Sequence, residues 1–150
     1  MSDKRRKLAT YEKGCENMLK KSYLGVLIWS IIYCALCFGV VALPIKDTDI
    51  LVRIVYNITS VAMAVLAFII YLNEKVFWYT GITYEQAVDA GSERRKIYAL
   101  KHVKTFGIAA VIYLIVSLII TVFKASFAVD TVIFMVILLT AAISTMRFKL

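Results

Sequence analysis

The chain reads as an all-α integral membrane protein, with four transmembrane helices arranged as two antiparallel hairpins and both termini in the cytoplasm. Three observations predict this. Of its 150 residues 61% are hydrophobic and the mean hydropathy is +0.79, far above the apolar share of about 45–50% usual in soluble domains. Four apolar runs, residues 23–43, 51–72, 105–123 and 127–145, are each long enough to cross about 30 Å of hydrocarbon at ~1.5 Å per residue. The third observation is the distribution of charge.

Of 18 Lys and Arg, fifteen fall in three segments: Lys4, Arg5, Arg6, Lys7, Lys13, Lys20 and Lys21 before the first run, Lys75, Arg94, Arg95, Lys96, Lys101 and Lys104 between the second and third, and Arg147 and Lys149 after the fourth. Only Lys46, Arg53 and Lys124 remain for the two short turns. The positive-inside rule therefore predicts cytoplasmic termini and a cytoplasmic central loop, as an even number of crossings requires. The net charge of +8 is explained by topology, with attraction to anionic headgroups as a by-product, so nucleic-acid binding is not expected. Helices rather than a barrel follow because the bilayer core offers no water to unpaired backbone groups and the runs lack alternating polarity.

The resulting organisation is a basic amphipathic segment 1–22, a first hairpin 23–72, a helical loop 73–104, a second hairpin 105–146 and a tail 147–150. In the first segment Leu8, Tyr11, Cys15, Met18 and Ser22 recur at helical spacing. That pattern suits a helix lying at headgroup level, or a helical extension of the first span with snorkelling lysines. The basic region ahead of the first run is long, and the run exceeds a signal peptide's apolar core, so an uncleaved span is expected. Pro44 stops the first helix, and Asp47 or Thr48 is placed to cap the second. Tyr71, Phe77, Trp78 and Tyr79 suggest an aromatic belt at the cytoplasmic interface. Lys124 stands at the carbonyl end of the third helix.

In the central loop Thr83-Tyr84-Glu85-Gln86 spells a capping box; Gly91 should end that helix, and Ser92 should cap a second one running into the third span. On that second helix Arg94, Arg95, Tyr98, Lys101 and His102 share an arc of about 120°, a basic and aromatic face for anionic lipid heads or an acidic partner, or simply a solvated face that enforces topology.

Within the spans the chemistry is sparse. Arg53 and Asp130 each lie about one turn from the outer end of a helix, and Asn57 is one turn below Arg53. The three suit a polar path through a small transporter or channel, and Arg53 and Asp130 equally suit a pair joining neighbouring helices. No carboxylate occupies mid-span, as four-helix drug–proton exchangers require. His102 is the single histidine and no Cys, His or carboxylate cluster accompanies it, so neither a metal nor another cofactor is expected.

Cys34-Ala35-Leu36-Cys37 places two thiols at i and i+3 on one helix face. This tetrad resembles the membrane thiol oxidases linked to quinones, a group that includes the bacterial disulfide-forming proteins and the vitamin K epoxide reductases. The resemblance implies a thiol–disulfide relay at Cys34 and Cys37. It covers four residues, and the second cysteine pair those families carry in an outer loop is missing from residues 45–50 and 124–126.

Small residues point instead to assembly: Gly25, Ser30, Cys34 and Gly39 in the first span, and Ala141, Ala142 and Ser144 in the fourth, permit close helix approach. The hairpins also carry matching boundary tags, Lys21-Ser22-Tyr23 with Lys104-Thr105-Phe106 and Asp47-Thr48 with Asp130-Thr131. A duplicated two-helix repeat would produce them, and so would chance. The functional expectation is a non-enzymatic subunit of a bacterial inner-membrane assembly, either a homo-oligomer or a companion of a larger membrane protein.

Overall fold

The computed structural model describes residues 19–150. Four helices dominate: α1 (Leu24–Val41), α2 (Thr48–Asn73), α3 (Tyr84–Val122) and α4 (Phe127–Met146), with one 3-10 turn at Val76–Trp78. Each of the four is long and apolar enough to cross a membrane. Among the described residues the protein is thus all-helical, and its four long apolar helices are those of an integral membrane protein.

Local sequence explains most boundaries. Asp47 caps α2, its Oδ1 accepting from the backbone N–H of Asp49 at 2.9 Å and of Ile50 at 3.3 Å. The capping box at α3 is complete: Gln86 N–H donates to Thr83 Oγ1 at 3.2 Å, and Thr83 N–H donates to Gln86 Oε1 at 2.9 Å. Gly91 breaks α3 with φ 74° and ψ 164°, a backbone region open essentially to glycine alone. From Ser92 onward the helix runs unbroken into the third span.

Three local expectations are corrected. The Ser92 hydroxyl donates to Glu74 Oε1 at 2.8 Å instead of capping the helix that follows it. Residues 19–23 are not helical, so no helical extension enters α1 there; the rest of the amphipathic stretch, with Cys15, lies outside the described residues. Leu19 is buried in the central loop's own core with Val76, Phe77, Ala87, Tyr98 and Ala99. That core also corrects the aromatic belt, because Phe77 turns inward against Tyr23 and Tyr84 rather than outward to an interface.

α2, α3 and α4 pack on one another, α2 and α3 most extensively, while α1 leans on α2 and buries none of its residues. Asp49 Oδ1 accepts from Phe127 N–H at 3.0 Å, which ties the start of α2 to the start of α4. At the opposite end Gly25 meets Trp78: a Cβ on the glycine would come within 2.5 Å of the indole Cη2. The proposed boundary tags do not occupy matching places. Asp47 is an N-cap, whereas Asp130 lies inside α4 and caps nothing.

Candidate functional site

The spans contain one buried polar network, built by α2, α3 and α4. Arg53 and Asp130, 77 residues apart in the chain, pair through Arg53 Nε and Asp130 Oδ2 at 2.8 Å. Arg53 also donates from Nη1 to Thr121 Oγ1 at 3.1 Å and from Nη2 to the Ala125 carbonyl at 3.1 Å. Asp130, 0% exposed, accepts at its other oxygen from Tyr113 Oη at 2.7 Å. Asn57 Nδ2 donates to the Arg53 carbonyl at 2.9 Å and to Ser117 Oγ at 2.8 Å. Charge, hydroxyl and amide are thus matched donor to acceptor, as buried ions in hydrocarbon demand. The exception is Asn57 Oδ1, enclosed without a partner among the described residues.

The structure therefore brings together the three intramembrane residues singled out from sequence. It adds Tyr113, Ser117 and Thr121, which sequence reasoning missed. Their spacing was the available signal, since positions 113, 117 and 121 stand four apart and form one polar stripe on an otherwise apolar helix. Aromatic packing closes the network from below: Phe134 stacks on Tyr56 at 4.5 Å and meets Tyr113 edge-on at 5.0 Å. Cys34 and Cys37 are free thiols on α1; Cys34 is exposed and Cys37 partly so.

The second cluster lies where the central loop meets the spans. The five residues expected on one open face divide in two, a correction to that expectation. Arg94 and Lys101 are exposed, but Arg95, Tyr98 and His102 point inward and are almost fully buried. Arg95 donates to Glu74 Oε2 from Nη2 at 2.8 Å and from Nε at 3.2 Å, and its Nη1 donates to the Ala87 carbonyl at 2.9 Å. Glu74 is reached by Lys96 Nζ as well, at 3.3 Å. Burial pushes the Glu74 carboxyl up, but hydrogen bonds from Ser92, Arg95 and Lys96 together outweigh it and hold the group below its ordinary value. The physical reason for the inward turn is the 3-10 segment: Val76 and Phe77 fold beneath the helix and claim the face that helical periodicity alone assigns to water.

His102 sits in an aromatic box. Tyr79 stacks on it at 4.0 Å, Tyr98 lies at 4.6 Å and Phe148 meets it edge-on at 5.2 Å. Its Nδ1 is 3.1 Å from the Tyr98 carbonyl, which can only accept, so Nδ1 carries the proton and Nε2 of the neutral ring is an acceptor. Burial pulls the imidazole below its ordinary value, and raises Tyr79 and Tyr98 above theirs.

No group of three or more His, Cys, Asp or Glu among the described residues is placed to hold a metal ion. Comparisons with protein-family models, curated proteins and solved structures match nothing to this chain. The functional reading therefore rests on geometry.

Proposed function

We propose that this chain is a non-enzymatic subunit of a bacterial inner-membrane assembly, its four spans forming two antiparallel hairpins with both termini and the central loop in the cytoplasm. Its partner is a second copy of itself or a larger membrane protein. The observation that carries the reading is α1, a helix of 18 residues that buries none of them. Gly39 has open space around the position of a Cβ, and Cys34 and Ala35 beside it are exposed small residues, so another helix can approach closely there. The charged interior of the spans supports the same reading. Arg53 and Asp130 are committed to each other and to protein partners, which is how a structural pin is built. Exposed Arg94, Lys101 and Lys104 supply the loop's contact with anionic headgroups or an acidic partner.

Chemical crosslinking in intact membranes, followed by mild-detergent purification and mass spectrometry, tests this. Crosslinked pairs between α1 and another chain are expected; a lone monomer without associated protein sinks the proposal. The transporter reading predicts instead that Arg53→Ala or Asp130→Asn abolishes flux in liposomes while the protein stays folded. The thiol-relay reading predicts loss of function on Cys34→Ser, and a Cys34–Cys37 pair that stays reduced in an oxidising periplasm excludes it.

A further inference from the structure

Between α2, α3, α4 and the turn that follows the 3-10 segment lies a cavity of about 600 Å³, within the range of ~300–1,000 Å³ typical of small-molecule sites. Met63, Leu66, Phe106 and Ala142, all half-buried, form its apolar side, and Tyr79 and the buried His102 form its polar end. Met63 is about ten residues before the end of α2, ~15 Å along the helix axis. The cavity is thus graded, apolar within the spans and polar where they end.

Two polar groups at this end lack protein partners among the described residues. His102 is 3% exposed and spends Nδ1 on the Tyr98 carbonyl, leaving Nε2 as an unanswered acceptor. The Tyr79 hydroxyl is enclosed with no partner. A buried unsatisfied polar group such as the Tyr79 hydroxyl is costly, and because the Tyr79 and His102 rings stack at 4.0 Å one ligand headgroup can meet both. The headgroup must donate to His102 and accept from Tyr79, which a hydroxyl does. A neutral headgroup fits best, because no lining residue is charged, Arg95 is bound to Glu74, and the nearby Lys75 and Lys101 lie over the Trp78 and Phe148 rings.

We propose that this cavity binds a single-chain neutral amphiphile of the monoacylglycerol class, its chain lying along Met63 and Phe106 and its hydroxyl donating to His102 Nε2. This goes beyond the assembly reading and holds whether or not a protein partner is present. The test uses the full chain in nanodiscs with two photoreactive lipids carrying the same diazirine chain, one a monoacylglycerol and one a phosphatidylcholine. Labelled peptides are mapped by mass spectrometry, and folding of every variant is checked by thermal unfolding.

The expected result is labelling by the monoacylglycerol concentrated on the peptides that contain Met63 and Phe106. His102→Phe, which keeps an aromatic ring but removes Nε2, should lower it by about five- to tenfold, the worth of one net hydrogen bond. Ala142→Phe, which fills the cavity, should abolish it, and should Ala142→Phe not fold, the His102→Phe comparison decides alone. Equal labelling by both lipids, labelling spread evenly over α1, or labelling unchanged in His102→Phe overturns the proposal. Because no second protein is present, failure here leaves the subunit reading untouched.

Discussion

Removing Asp130 should be among the most damaging single changes in the chain. Asp130→Ala leaves the Arg53 guanidinium buried with its ion partner gone and strands the Tyr113 hydroxyl, which donates to the same carboxylate. Breaking a buried pair by deleting one partner costs about 3–5 kcal/mol, and an orphaned buried donor costs a further ~1–3 kcal/mol. The two are not fully additive, since Arg53 keeps Thr121 and the Ala125 carbonyl and lies only one turn from the start of α2. A net loss of about 4 kcal/mol, nearly a thousandfold in the folding equilibrium, is the expected outcome. Removing both charges with Arg53→Met and Asp130→Leu should recover most of it, because a buried pair replaced by apolar residues of similar volume is often neutral. Titration of the purified protein from mild detergent into sodium dodecyl sulfate, followed by circular dichroism, measures Asp130→Ala and, as a double-mutant cycle, Arg53→Met, Asp130→Leu and their double. Asp130→Ala within about 0.5 kcal/mol of wild type, or a double variant as unstable as the single, would refute the reasoning.

Four further outcomes are expected. Gly25→Leu should force Trp78 away from α1 at a cost of about 1–3 kcal/mol. Limited trypsin digestion should then cut the central loop faster, and Gly25→Leu combined with Trp78→Ala should be slower to cut than Gly25→Leu alone. Gly91→Ala should cost about 1–3 kcal/mol from backbone strain, since open space surrounds the site, and the same unfolding titration measures it. Stability should fall as pH drops below 6.5, the ordinary value of histidine, because folding keeps His102 below it and the unfolded chain takes up a proton first. A second loss should follow below 4.5, as the depressed Glu74 carboxyl is protonated and its bonds to Arg95 weaken. Thermal unfolding midpoints against pH read both steps, and His102→Phe should remove the upper one alone. Finally, single cysteines in a cysteine-free background should react with an impermeant maleimide from outside the cell at Lys124 and not at Glu93; the reverse pattern would invert the topology.

Much of the fold was legible because each signal was local. Uninterrupted apolar runs foretold the spans, Asp47 and the Thr83–Gln86 box supplied side chains that answer orphaned backbone donors, and Gly91 alone tolerates the backbone angles at the break in α3. The pairing of Arg53 with Asp130 was one of two readings open to intramembrane charges, and its closure through Tyr113 depends on helix rotation that composition does not encode. The central loop was the harder problem. Its helix periodicity correctly grouped Arg95, Tyr98 and His102 on one side, but which side faces protein was decided by Val76 and Phe77, a segment without helical or strand pattern of its own. Inside-facing charge there is affordable only because Glu74, held in a left-handed conformation at the end of α2, meets Arg95 from below.

The central claim is that α1 completes an assembly. Native mass spectrometry of the protein extracted in mild detergent tests it most directly, with a bulky substitution on the open face of α1, Gly39→Trp, as the control. A defined complex larger than one chain, lost on Gly39→Trp while circular dichroism stays unchanged, is the predicted result. A single 17.0 kDa chain in both samples would contradict it.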